Sequence, residues 1–251
     1  MEEFYDVETG GVLRLELRSV DGRDFTLLRQ FGYRSDDYHE PFIVPADLAT
    51  FDTDFASVPD LFTWLVPRSG DFLPAAVLHD ALISSHGYLG PRVDRHEADR
   101  IFRIAMIGLG TGRVRAWLMF AAVTMRTMWV SDRLLKRAQL VALLGTVAVI
   151  GTLATLDFFD LIAVVPWMGD RRWWVELLHG ALFAVLIPSA VALSWGRCWR
   201  AGVVVGVTLA LLLHVTAALL VLYAVYLGVE RLVSGPADAR GVRVRDTAEA
   251  E

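Results

Sequence analysis

Cysteine is nearly absent. Cys198 is the only one in 251 residues, so neither an intramolecular disulfide nor a cysteine-rich zinc site can form. Lysine is as scarce: Lys136 stands alone, and arginine carries the rest of the positive charge, which reads as a compositional bias rather than as chemistry. A basic excess is missing too. The net charge of −5 is not that of a phosphate-binding surface, which argues against nucleic acid as the main partner. The opening MEEFYDVETG is acidic and polar, with no basic start and no apolar stretch behind it, so no secretory leader is expected. No internal repeat is visible.

Apolar residues, by contrast, are abundant, at 55% of the chain, and unevenly spread. Residues 1–137 hold most of the acids, whereas long uncharged runs begin at Ala138. Ala138–Leu156 carries no charge and would reach about 28 Å as a helix, close to the roughly 30 Å of a bilayer core. Trp173–Trp195 forms a second run with tryptophan at both ends, where amphipathic rings favour the membrane interface. Ala201–Val229 is the longest, with Tyr223 and Tyr226 near its end. The pattern predicts a water-facing domain over 1–135, a transmembrane region over 136–230 with helices at 138–156, 173–195 and 201–229, and a polar, disordered tail over 231–251. Phe158–Met168 is apolar but short, and Asp157 and Asp160 interrupt it, so an interfacial segment or hairpin is expected there rather than a further span.

Arg133, Lys136 and Arg137 precede the first run, and Arg197 and Arg200, beside Cys198, separate the second from the third. Three spans put both groups on one side, which the positive-inside rule makes cytoplasmic. The expected location is an inner or plasma membrane with the N-terminal domain in the cytoplasm and Asp157, Asp160 and Asp170 facing outward. Cys198 itself reads as an ordinary loop thiol. Glu176, His179 and His214 are ionisable groups inside the runs. Their differing depths argue against a proton relay, and His214 reads as a helix-packing hydrogen bond.

The N-terminal part reads as an α+β domain, short β-hairpins followed by about three helices. Leu13, Leu15 and Leu17 alternate with charged residues, the period of a half-buried strand. Asp21-Gly22 signals a turn, and Phe25–Arg29 would return. Pro41–Pro45 brackets another extended piece. The period then changes. A helix is expected from Leu73 with Pro74 in its first turn, another from Asp94 with Ala98, Ile101, Phe102, Ala105 and Leu109 on one face, and a third from Arg113 to about Val130. The third is too short and too arginine-flanked to span a bilayer and reads as a core helix.

Three polar clusters lie among these apolar faces: Thr53-Asp54-Phe-Ala-Ser57-Val-Pro59, the doublet His79-Asp80, and Arg95 with Asp99. Burying such groups is costly unless they meet each other or a ligand. Here the sequence resembles the DUF1353 proteins of bacteria and phages. Ile43 to Pro59 is similar to that family's VPxGF-like stretch leading into TDxASxP. Ala75 to Asp80 matches its alanine-rich helix with a His-Asp pair, and Ala98 to Phe102 matches its Ala-Asp-x-x-Phe helix. The resemblance covers residues 40–130 and leaves out the apolar runs. Asp47 stands where the family has a turn glycine, and the tyrosine that usually follows His-Asp is absent or replaced by Leu82. The family carries no activity to transfer, and its presence in phages hints at a prophage or envelope-associated role.

Three chemistries fit the clusters. Asp54, His79, Asp80 and Asp99 have the ligand types of a divalent-metal site, which could generate hydroxide for hydrolysis. Metal-dependent phosphohydrolases with a His-Asp doublet need further histidines, and only His39 and His96 are at hand, without the required pattern. Neighbours on a helix also point about 100° apart, so His79 and Asp80 cannot share one ion undistorted. In a second scheme Ser57 is a nucleophile, His79 its base and Asp80 or Asp99 the orienter, but the glycine-framed nucleophile turn is missing. The third needs no ligand: Asp54 caps the ASVP turn, Ser57 or Asp60 caps a short helix, and Arg95 pairs with Asp99 or Asp54. Two functions follow. One is a membrane-anchored binding or structural module, with the bilayer as partner and room for a protein partner or a second copy of the chain. The other is a membrane-tethered, metal-dependent hydrolase with Asp54, His79, Asp80 and Asp99 as catalytic groups, Asp54, His79 and Asp99 as metal ligands, and Thr53, Ser57 and Arg95 as binding residues.

Overall fold

The computed structural model describes residues 3–19, 25–53, 70–84, 87–169 and 171–234. The chain divides into two units, Met1–Leu213 and His214–Glu251. Among the described residues, the first begins with six short strands in two antiparallel sheets. β1 (Glu3–Asp6), β4 (Phe31–Arg34) and β5 (Phe42–Val44) form one, with Tyr5 opposite Gly32 and Gly32 opposite Ile43. Gly32 is required there, because a Cβ would drive into the ring of Tyr5. β2 (Leu17–Ser19), β3 (Phe25–Leu27) and β6 (Asp52–Thr53) form the other. The expected 13–17 strand is therefore shorter than its alternation suggests. Leu13 and Leu15 pack against the core from an unladdered segment, and only residues 17–19 pair with the return strand. The turn at Asp21-Gly22 lies outside the described residues.

Three helices complete this core. α1 (Leu73–Ile83) has Pro74 in its first turn and is buried almost throughout, packing on β5, β6 and α2. α2 (Arg95–Gly108) starts at Asp94, whose carboxylate accepts the Glu97 N–H at 2.8 Å. Its buried face is Ala98, Asp99, Ile101, Phe102, Ala105 and Met106. α3 (Arg113–Val130) is buried on two sides. Ala116, Met119 and Val123 join the core under the sheets, together with Phe31, Tyr33, Phe42 and Phe102. Ala121 and Met128 join a second core with Leu140, Leu143, Trp195, Cys198 and Val205 from the apolar helices. The α+β domain and the helical region thus share a helix.

α4 (Leu134–Phe158) ends where Asp157 turns inward and accepts the Val164 and Val165 N–H groups, both at 2.8 Å. Asp157 is buried, and it ties back a non-helical loop at 159–169. Trp167 of that loop stacks on Phe183 at 4.4 Å. α5 (Trp173–Ala192) follows, with Glu176 accepting the Arg171 N–H and the imidazole of His179 bonded to its own helix at the Val175 carbonyl. Asp170 lies outside the described residues. After a 3-10 turn at Leu193–Cys198 the chain reverses at Gly196, whose φ of 61° suits glycine. α6 (Trp199–Leu211) runs back along α5. Gly202 faces Ala192 and Gly206 faces Pro188, so small residues one turn apart let the two backbones approach.

Trp195 is fully buried at this reversal and donates its indole N–H to the Gln139 carbonyl at 3.3 Å. It fills a core position rather than anchoring in an interface. In the second unit, α7 (Leu213–Ser234) carries Tyr223 and Tyr226 stacked 6.4 Å apart. The expected 201–229 run is thus two helices, divided at Leu212, and His214 sits in the first turn of α7 rather than in mid-helix. Among the described residues, three helical stretches are long and apolar enough to cross a membrane: Leu134–Phe158, Trp173–Leu211 with its reversal, and Leu213–Leu232. Residues 235–251, the expected tail, are outside the described part.

Candidate functional site

α1 is so apolar that His79 has no water to face, and it is 4% exposed. A buried imidazole needs a partner across a helix interface, and α2 supplies Asp99, fully buried. His79 Nε2 lies 2.9 Å from Asp99 Oδ1. The ring rests against Phe102 one turn further along α2, with centroids 5.0 Å apart. On its other side, His79 Nδ1 is 3.8 Å from Asp80 Oδ1, near enough to feel the charge but too far for a hydrogen bond. Asp80 is fixed in turn by Thr53 of β6, whose hydroxyl donates to Asp80 Oδ2 at 2.5 Å. The cluster thus runs from sheet to α1 to α2.

Burial alone would push the imidazole toward its neutral form. The carboxylates of Asp80 and Asp99 outweigh burial and hold the pKa of His79 above its usual value. A pKa shifted toward the charged ring makes His79 less available as a general base, which weighs against the Ser57 scheme. His79 Nδ1 and Asp99 Oδ2 are buried and have no hydrogen-bond partner among the described residues. Also among these residues, no group of three or more His, Cys, Asp or Glu side chains is placed to hold a metal ion.

Of the residues singled out in the sequence, the structure brings together Thr53, His79, Asp80 and Asp99. Asp54, Ser57, Pro59, Asp60 and His86 lie outside the described residues. Arg95 does not meet Asp99 as expected: it is exposed at the first residue of α2, on the same side as Asp99 but a turn before the buried stretch in which Asp99 and Phe102 sit.

Two further networks escaped the sequence reading. Tyr38 donates its hydroxyl to Glu97 at 2.8 Å, and Arg100 clamps the same carboxylate while reaching Asp37 at 2.6 Å. Burial and the Glu97 carboxylate push the Tyr38 phenol up to about 12. The Glu97–Arg100 spacing was a readable helical pair, whereas Tyr38 and Asp37 gave no signal. The second network joins α2 to the reversal between α5 and α6. Cys198 is buried with Sγ 3.2 Å from His96 Nδ1, and Arg197 reaches Asp94 at 3.4 Å. The loop thiol is therefore a packed contact between the α+β domain and the apolar helices.

Residues 25–123 match the family model DUF1353, described as a protein of unknown function. The match takes in β3 through most of α3, so it begins ahead of the motif-bearing stretch and includes Thr53, His79, Asp80 and Asp99. Neither the curated proteins nor the solved structures contain a match to the chain.

Proposed function

We propose, for a chain whose residues 25–123 match DUF1353, that it is a membrane-anchored module in which the apolar helices hold the α+β domain at the surface of an inner or plasma membrane, on its cytoplasmic side. One observation carries the reading: the long apolar helices leave most of their surface uncovered. Val141, Leu144 and Val149 of α4 and Leu177, Leu178, Leu182 and Leu186 of α5 are all exposed. Contiguous apolar area of that extent is stable only against lipid or another protein. Orientation is supported by the meeting of basic residues. Lys136 donates to the Trp195 carbonyl at 3.3 Å, which gathers Arg133, Lys136, Arg137, Arg197 and Arg200 at one end of the α4–α5–α6 group.

Within the module the Thr53–Asp80–His79–Asp99 cluster acts as a fold-holding network that fastens α1 to α2 and to β6. Its burial and the Phe102 ring over His79 support this role. The hydrolase reading draws on a different observation, the buried Asp99 Oδ2 and His79 Nδ1 without hydrogen-bond partners among the described residues. The two separate in a thermal-unfolding experiment on the full chain in detergent. The full chain is required because α3 belongs to both cores. A structural network gives the same midpoint with Mn²⁺, Zn²⁺ or chelator. A metal-dependent rise that disappears in His79→Gln and Asp99→Asn would favour the hydrolase.

A further inference from the structure

Arg103 is a half-buried cation with no acidic partner among the described residues. It projects from α2 with its guanidinium 4.3 Å over the Trp117 ring and 5.6 Å from that of Phe120, both on α3. Its Nε is buried without a hydrogen-bond partner, and among the described residues no carboxylate lies within 4.0 Å of it. The acids that could have served are taken: Glu97 and Asp37 by Arg100, and Asp94 by Arg197. Arg200, in the first turn of α6, is exposed, lies 5.5 Å from the Trp199 ring and likewise has no ion pair among the described residues. The two arginines stand at one junction, because α3, whose rings carry Arg103, packs on α6, whose first turn carries Arg200. Burial, then repulsion from Arg100 and Arg200, lowers the pKa of Arg103 from its usual value. Stacking on an aromatic face orients a guanidinium but leaves its charge in place. Two guanidinium groups at one junction, neither with an ion pair among the described residues, present a site for an anion.

The place of the pair says which anion. His96, two turns before Arg103 on α2, touches Cys198 at 3.2 Å, so this face of α2 lies along the α5–α6 reversal. That reversal is tied to the start of α4 by Lys136 and Gln139, and from this end both α4 and α5 run into their uncharged stretches. On the membrane-anchored reading, this is the level of lipid headgroups, and exposed Trp129 and Trp199 suit it. We propose that Arg103 and Arg200, one from each half of the chain, bind the phosphate of an anionic phospholipid in the bilayer that holds the helices. A zwitterionic choline headgroup would bring another cation into a neighbourhood that already holds Arg133, Lys136 and Arg137; a glycerol headgroup would not. The inference rests on the anchoring proposed above.

The test uses the full chain in a neutral detergent, with phosphatidylglycerol, phosphatidylcholine and inorganic phosphate as separate additions and the unfolding midpoint as the readout. Phosphatidylglycerol should raise the midpoint by about 2–4 °C, and the other two should not. Arg103→Gln and Arg200→Gln should each lose most of that rise, while Arg18→Gln, at an exposed strand position, keeps it. Arg200 is exposed, so its variant remains informative even if Arg103→Gln folds poorly. An equal response to phosphatidylcholine, an equal response to inorganic phosphate, or an unchanged rise in Arg200→Gln would each overturn the site. A chain that needs detergent yet shows one of these results loses only the phospholipid site. A chain that leaves the membrane without detergent loses the anchoring itself.

Discussion

Asp99 reaches His79 from the neighbouring helix, so replacing it by asparagine removes the carboxylate that holds the imidazole charged and leaves a buried ring beside an amide. Breaking such a pair costs about 3 kcal/mol, and Asp99→Asn should lower the unfolding midpoint of the full chain accordingly. A midpoint unchanged within error would mean that the His79–Asp99 contact carries no structural weight. The pH dependence has a definite sign. The folded-state pKa of His79 lies above its unfolded value of 6.5. The contribution is therefore complete below about 6.5 and is lost as pH rises through the higher folded value. Thermal midpoints followed upward from pH 6 should show a fall that is missing in His79→Gln. At this scale the sequence was informative about residue type and silent about partner. An apolar helix with one His-Asp doublet announces a buried polar group, and that was legible. The meeting of His79 with Asp99, and not of Arg95 with Asp99, depends on depth along α2: Arg95 stands at the exposed helix start, and Asp99 a turn further in, against α1. An i,i+4 spacing favours the local pair, but burial of Asp99 among Ala98, Phe102 and Ala105 decided otherwise.

The helices of the α+β domain were readable almost to their ends, because each has a physical marker: Pro74 in the first turn of α1, Asp94 capping α2, and Gly110 and Gly112 between α2 and α3. The strands were less so. Alternation of Leu13, Leu15 and Leu17 reports which side chains are buried, not which backbone groups pair. The ladder stops where the return strand ends at Leu27, with only a Leu28 to Glu16 backbone bond beyond it. The division at Leu212 carries no proline or glycine and had no sequence signal. The α5–α6 contact did have one, in Gly202 and Gly206 four residues apart. A Cβ on Gly206 would come within 2.6 Å of Pro188 Cβ and 3.0 Å of a Leu143 methyl. Gly206→Ala should therefore force the helices apart and destabilise the chain by about 1–3 kcal/mol. Its midpoint in detergent tests this against Gly145→Ala, where the new methyl meets nothing within 4 Å. Equal midpoints for the two variants would show that α6 does not depend on close approach to α5.

Across the whole molecule, a shared helix joins two kinds of surface. α3 seals the sheet-bearing core on one side and Trp195, Leu140 and Leu143 on the other, while α4 and α5 offer the solvent a broad apolar face. The boundary expected near residue 135 rests on the change in hydropathy. It does not mark a change in packing, because Met128 and Trp195 share one core across it, and hydropathy along a chain cannot report contacts made across distant residues. Membrane attachment is the claim on which orientation, headgroup binding and the role of the domain all depend. Extraction of membranes containing the full chain with alkaline carbonate, followed by detergent, tests it directly. The chain should stay in the pellet through carbonate and enter the supernatant only with detergent; release by carbonate alone, as a monodisperse species in buffer, would contradict the account.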